Sequence, residues 1–253
     1  MLADIQAAKR QQETLRHRDH RPWPLPSGPW VLAQSWEELL FAHWRVPADE
    51  MRQLLPDVLS LDLYEGSAWL GITPFRVMGL RPRYTLPLLV ISRFCELNVQ
   101  TYVTFGGKPG IFFFSLDAAS RAAVAGARLA YRLPYFYAHM RARWQEGWID
   151  YRSRRLSPDP TVEFGGRYRP RGSCFFTPPG TLEHFLTERY SLYTVKRNRV
   201  FRAEIHHPPW PLQEAEAQFE QITVSPLALG GAPLLHFAAR QDVLTWPLAS
   251  VED

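Results

Sequence analysis

The chain of 253 residues is 46% hydrophobic and 13% aromatic, enough apolar surface to bury the core of one large domain. Formal charge is only +4, but three lysines stand against twenty-six arginines, which leaves few amines for imine chemistry because a guanidinium stays protonated. No run reaches the roughly 18 uncharged apolar residues of a membrane helix; the N-terminus lacks a secretory apolar region; and two cysteines without CxxC spacing predict reduced, buried thiols in a cytoplasmic protein.

Residues 2–16 place Ile5, Ala8, Gln12 and Leu15 on one side of a helix. An Arg/His/Pro segment follows, with His17-Arg18-Asp19-His20 read as solvated loop. Residues 1–29 are therefore expected to be an N-terminal helix and linker, and 30–253 a single domain. From Trp30 the run WVLAQSWEELLFAHWRV is strand-like, and Pro47-Ala48-Asp49-Glu50 opens a short helix that Pro56 closes. Leu61 to Tyr64 and Ala68 to Val77, around Glu65-Gly66-Ser67, read as a hairpin.

The stretch Glu96 to Met140 is the most informative. Leu97, Val99, Thr101 and Val103 alternate with Glu96, Asn98, Gln100, Tyr102 and Thr104, so one strand carries an apolar face and a polar one. Gly106-Gly107-Lys108-Pro109-Gly110 turns the strand back onto Ile111 to Leu116. Asp117 or Ser120 caps an Ala-rich helix from Ala122 to Arg132, which Pro134 ends. Tyr131, Tyr135, Phe136 and Tyr137 gather at its end, with Phe112 to Phe114 on the adjacent strand.

Further on, Ala138 to Gln145 and Trp148 to Arg155 form a hairpin at Glu146-Gly147, and a loop with Pro158, Pro160, Gly165 and Gly166 follows. Thr181 caps a short helix through Glu188. Ser191 to Val195 and Val200 to His206 bracket the turn Lys196-Arg197-Asn198-Arg199, and the segments Glu214 to Ile222 and Leu234 to Leu248 alternate like strands. Many short strands and few short helices predict an α+β chain, mostly antiparallel β, wrapped or closed upon itself.

Closure would turn polar strand residues toward a cavity instead of bulk water. In that case Glu96 is the candidate acid/base carboxylate, because desolvation raises a carboxyl pKa, and Asn98, Gln100 and Tyr102 are candidate ligand contacts. Phe114, Tyr131 and Tyr135 would wall an apolar pocket. The competing assignment is an ordinary solvated face and an aromatic core. HExxH, CxxC, GxGxxG, GxxxxGKS and GxSxG patterns are all missing, so no metal, no cofactor and no serine-hydrolase elbow are expected. The Arg/aromatic hairpin 138–155 is compatible with single-stranded nucleic acid, but Glu146, Asp150, Asp159 and Glu163 lie among its arginines and predict exterior ion pairs instead. The expected partner is a small-molecule ligand, with no membrane and no nucleic acid; homo-oligomerisation is left open.

The blocks HWRVPADEMRQLLPDVLSLDLYEGSAWLGITPFRV, FCELNVQTYV, GKPGIFFFSLDA, LTERYSLYT and HHPPWPLQEAEA resemble the YqjF-like family of uncharacterised bacterial proteins, from about Trp30 to Leu248. That family is similar in turn to the acetoacetate decarboxylase superfamily, which implies a closed or cone-shaped, mostly antiparallel β-barrel around a cavity. By this resemblance the decarboxylase's active-site glutamate falls on Glu96, and its other site arginine near Glu37. Gly126 to Pro134 matches the approach to its Pro-Lys-Lys motif, but Tyr135 and Phe136 stand in place of the lysines. Neither a phenol nor a phenyl ring forms an imine. The resemblance therefore implies a small-molecule-binding barrel that is not an imine-forming decarboxylase, with Lys108 and Lys196 as exposed turn charges. The alternatives are a lyase or decarboxylase-type enzyme acting on a small keto or carboxylic acid through Glu96, and an interaction module built on the hairpin 138–155.

Overall fold

The structure, a computed structural model, describes residues 2–87, 92–156, 159 and 161–251, with side chains from residue 5 onward. Pro158 and Pro160 of the expected loop lie outside the described residues. Alternating β-branched and aromatic residues make strands the dominant element. In chain order these are β1 (Leu32–Val46), β2 (Ser60–Leu61), β3 (Ala68–Pro82), β4 (Phe94–Phe105), β5 (Lys108–Ala118), β6 (Tyr135–Gln145), β7 (Trp148–Arg155), β8 (Glu163–Phe175), β9 (Ser191–Lys196), β10 (Arg199–His206), β11 (Leu212–Ile222), β12 (Leu234–Thr245) and β13 (Ala249–Val251). The helices are α1 (Leu2–Glu13), α2 (Ala48–Gln53), α3 (Arg121–Ala130) and α4 (Leu182–Thr187).

The strands join in the order β13-β10-β9-β5-β6-β7-β8-β11-β12-β1-β3-β4-β2, and β4 also pairs with β5, and β10 with β12. Pairing is antiparallel except where β5 meets β6 and β9. The β5–β6 exception has a covalent cause: parallel neighbours need a crossover, and α3 supplies it. Ser120 caps α3, its side chain accepting from the Ala123 amide at 3.3 Å.

Turn chemistry sets several registers. Gly106 and Gly107 take φ of 56° and 71°, so a two-residue turn joins β4 to β5, and the expected five-residue turn shrinks because Lys108 already pairs with Phe105. Arg197 and Asn198 make the same left-handed turn between β9 and β10, with φ of 51° and 58°. The hairpin expected around Glu65-Gly66-Ser67 is reduced to one Tyr64–Ser67 bridge, since β2 pairs with β4 instead. Gly165 and Gly166, expected in a loop, lie within β8. There the backbone of β11 comes so near that a Cβ on Gly166 would sit 2.8 Å from the Gln218 carbonyl oxygen.

Two buried spaces lie on opposite sides of β4. Leu97 and Val99 point into an apolar cluster with Leu40, Trp44, Ile72, Tyr151, Phe164 and Phe237. Their neighbours Glu96, Asn98, Gln100 and Tyr102 are buried as well, on the other side. The alternation read from the sequence is therefore real, but its polar face is not at the surface. The N-terminal helix packs against the body: Gln11 is buried, donates to the Gly79 carbonyl at 3.1 Å and accepts from Arg81 Nε at 2.8 Å.

Candidate functional site

A cavity of about 370 Å³ opens on the polar side of β4. Glu96, Asn98 and Gln100 line it from β4, Thr73 and Phe75 from β3, Trp36 and Phe41 from β1, and Leu116 from β5. Tyr131, Tyr135 and the small-residue face of α3 around Gly126 complete that side. Five of the sequence-predicted residues thus share one cavity: Glu96, Asn98, Gln100, Tyr131 and Tyr135.

Glu96 is only 5% exposed, and the Tyr135 hydroxyl donates to its Oε1 at 3.1 Å. Loss of water around the carboxyl pushes its pKa up to about 8, a rise that hydrogen bonds from Tyr135 and Asn98 partly offset. Burial, with the Glu96 carboxyl beside it, holds the Tyr135 phenol well above its ordinary range. Burial thus biases both groups toward their protonated, uncharged forms in this corner of the cavity. Asn98 is 6% exposed, and its Oδ1 has no hydrogen-bond partner among the described residues. Tyr131 donates to the Trp246 carbonyl at 3.3 Å, and burial raises its pKa as well.

Two predicted contacts do not reach the cavity lining. Tyr102 points to the same side of β4 but is fully buried beneath α4, where its hydroxyl donates to the Leu186 carbonyl at 2.8 Å and meets His43 Nε2 at 2.7 Å. Phe114 packs edge-on against Phe112, with ring centroids 5.6 Å apart. A register shift between Val99 and Gln100 in the β4–β5 pairing separates the two ends of the strand, so alternation alone does not tell which residues reach the open space.

Sequence reading missed residues contributed from far along the chain. Trp36 and Trp210 stack with centroids 6.0 Å apart and both line the cavity. Arg189 also lines it, its Nη1 bonded to Asp62 Oδ2 at 2.6 Å and its Nε to the Phe185 carbonyl at 2.6 Å. His207 lies beside it, with Nε2 3.2 Å from the Arg189 carbonyl. A faint signal for Arg189 and His207 was their place within the LTERYSLYT and HHPPW blocks.

No lysine lines this cavity. Lys108 is not the exposed turn charge expected: it stands 3.0 Å from Glu204 Oε1 and 4.6 Å over the Trp23 ring. Lys196 is exposed at the end of β9. Glu37, opposite in sign to the arginine of the resemblance, binds Arg240 at 3.0 Å and does not line the cavity. Asp117 is not a helix cap; it accepts from Arg155 Nη2 at 2.7 Å and Nε at 2.9 Å. Cys95 is half-buried and Cys174 exposed, which corrects the expectation of two buried thiols.

On the outer face, several arginines of the 138–155 hairpin and of its neighbour β8 are engaged by carboxylates. Arg152 binds Glu220 at 2.5 Å and Asp150 at 3.1 Å, Arg169 and Arg171 share Glu216 at 2.8 and 3.0 Å, and Arg154 reaches Glu163 at 4.0 Å. Trp148 is stacked by Arg167 and Arg169 at 4.9 and 4.3 Å. These exterior ion pairs and stacked rings are the ones expected from the carboxylates lying among the arginines, while Trp144 stays 50% exposed. Among the described residues no group of three or more His, Cys, Asp or Glu is placed to hold a metal ion, and no helix is long and apolar enough to cross a membrane.

The DUF2071 family, described as "Uncharacterized conserved protein", matches residues 33–242, and the chain belongs to it. The "Uncharacterized protein YqjF" of Bacillus subtilis (strain 168) is 48% identical over 229 residues, 88% of this chain and 94% of that protein. Among solved structures, acetoacetate decarboxylase from Legionella pneumophila superposes with a TM-score of 0.61 at 12% identity, covering 93% of this chain and 94% of that one. The enduracididine biosynthesis enzyme MppR with HEPES buffer bound gives 0.62 at 11% identity, covering 93% and 99%. An acetoacetate decarboxylase-like enzyme from Sphingomonas wittichii RW1 gives 0.58 at 12%, covering 92% and 98%. The chain thus has the acetoacetate decarboxylase-like fold.

Proposed function

We propose that this family member is a cofactor-free, cytoplasmic protein whose residues 30–253 form one cone-shaped barrel binding a small, partly apolar molecule beside Glu96. The observation that carries the reading is the Glu96 carboxyl, 5% exposed, on the wall of a cavity of about 370 Å³. Pairing of β4 with β5, which joins the two ends of the run β5-β6-β7-β8-β11-β12-β1-β3-β4, supports closure. The lining supports a ligand without a full negative charge: burial raises the Glu96 pKa to about 8, and Arg189 is paired with Asp62, leaving its buried Nη2 as an open donor for a neutral acceptor such as a carbonyl.

Native mass spectrometry of the purified protein, compared with Gly126→Phe, tests this. Gly126 borders the cavity at an exposed position of α3 and a Cβ there has open space around it, so a phenyl ring narrows the cavity opening without a clash in the helix. A small molecule carried by the native chain and lost from the variant is the expected result. Equal retention by both, or no retention together with no thermal shift from a panel of neutral carbonyl compounds, overturns the reading.

Lyase-type catalysis on a small keto or carboxylic acid is the second reading, favoured by one observation. A carboxyl whose pKa is about 8, hydrogen-bonded to Tyr135, can exchange a proton at neutral pH. Carbon dioxide release from β-keto acids that disappears in Glu96→Gln would establish it; turnover unchanged in that variant would remove it.

A further inference from the structure

Buried polar atoms without a partner gather around one cavity. Trp36 Nε1, Trp210 Nε1, Arg189 Nη2 and Asn98 Oδ1 each lack a hydrogen-bond partner among the described residues, and all four residues line the space beside Glu96. Burying such a group unpaired costs its hydration, so an interior keeps few of them unless something else completes the bond. Other polar side chains of the same lining are already spent. Tyr131 donates to the Trp246 carbonyl at 3.3 Å, Thr187 to the Glu183 carbonyl at 2.8 Å, and His207 Nε2 meets the Arg189 carbonyl at 3.2 Å.

Three of the four atoms are donors. The Arg189 guanidinium lies 4.1 and 4.9 Å from the ring centroids of Phe185 and Tyr102, and with Nη1 on Asp62 and Nε on the Phe185 carbonyl only Nη2 is open. The Trp210 amide donates to Glu188 Oε1 at 2.8 Å, which ties the stacked indoles of Trp36 and Trp210 to the segment that carries Arg189. The fourth atom is an acceptor. Asn98 donates its amide hydrogen to Glu96, which leaves Oδ1, and it stands four residues before Tyr102 on β4, about 13 Å along the strand. Apolar rings lie between: Phe75, the cross-strand partner of Glu96, packs on Trp36 at 5.4 Å, and Phe41 meets Trp210 edge-on at 4.8 Å.

Resting on the reading of this cavity as a ligand site, we propose that its ligand is a neutral molecule with a carbonyl-type oxygen at one end, a hydroxyl or N–H at the other, and a flat apolar body between. A carbonyl oxygen has two lone pairs, so it accepts from Arg189 Nη2 and an indole N–H together, while Asn98 Oδ1 takes the ligand's donor. The aromatic walls carry the body. A carboxylate is disfavoured, because Asp62 already balances Arg189 at 2.6 Å and a second anion would be buried without a counter-charge.

Isothermal titration with 4-(4-hydroxyphenyl)butan-2-one and three relatives tests this. Of the relatives, 4-phenylbutan-2-one lacks the hydroxyl, 4-butylphenol lacks the carbonyl, and 3-(4-hydroxyphenyl)propanoate carries a charge in place of the methyl ketone. The complete compound is expected to bind about 10-fold or more tightly than each relative, the worth of one hydrogen bond. Trp210→Phe keeps a ring but removes the N–H, and should weaken both ketones while sparing 4-butylphenol. Asn98→Leu should weaken the hydroxyphenyl ketone and 4-butylphenol while sparing 4-phenylbutan-2-one. Equal affinity for the three neutral compounds, or propanoate binding as tight as that of the complete ketone, overturns the inference and leaves the cavity a ligand site. A variant folded by circular dichroism that weakens all three neutral compounds alike also overturns it; where a variant does not fold, the rank order on the native protein decides. No heat from any of the four overturns it as well, and a small molecule still carried by the native chain in mass spectrometry then separates that failure from failure of the ligand-site reading.

Discussion

Replacing Glu96 with Gln removes a proton-binding group while keeping shape and an acceptor for Tyr135. Burial raises the folded-state pKa of Glu96 from 4.5 to about 8, so folding takes up a proton over that interval. The stability that the protonated carboxyl supports is fully present below about pH 4.5, and is lost as pH rises through about 8. Between those values the native chain should lose about 1.4 kcal/mol per pH unit relative to Glu96→Gln. Integrated from pH 5 to pH 8 the difference is about 3–4 kcal/mol. Urea unfolding of both proteins, followed by tryptophan fluorescence at pH 5, 6, 7 and 8, measures it. Carboxylates elsewhere titrate in both chains and cancel. The native profile should fall away from that of Glu96→Gln as pH rises. Parallel profiles would mean that Glu96 ionises near its ordinary value, that water surrounds it, and that the neutral-cavity reasoning is wrong.

Other consequences are independent of the ligand. Tyr135→Phe removes a donor that favours the ionised carboxylate, so the Glu96 pKa should rise further by less than about one pH unit, read by carboxyl-carbon NMR titration. Asp117→Ala leaves Arg155 buried without its partner and should cost about 3–5 kcal/mol in chemical denaturation. Gly110→Ala should destabilise by about 1–3 kcal/mol. Its Cβ would lie 2.6 Å from the Tyr193 ring and 2.8 Å from the Ser191 carbonyl, where β5 runs beside β9 and neither neighbour can yield.

Local chemistry was legible where the chain interacts with itself over short range. Glycine pairs at Gly106-Gly107, the Ser120 and Thr181 caps and the two faces of β4 all follow from backbone sterics and side-chain alternation. Resemblance of the longer blocks then pointed to the family, which the match over residues 33–242 bears out, and to the fold that the solved structures share.

What alternation could not give is the medium each face meets. Glu96 and Tyr102 stand on one face of one strand, yet the first borders a cavity and the second is sealed under α4 against His43. That difference is made by α3, α4, Trp36, Arg189 and Trp210, which meet only when the sheet wraps. Lys108 and the Arg21 loop likewise read as solvated charges until Glu204, about a hundred residues or more away in sequence, gathers them. Sequence determined which groups could ionise, turn or cap. Tertiary structure alone decided their solvent, because burial depends on partners distant in the chain, and with it the proton on Glu96.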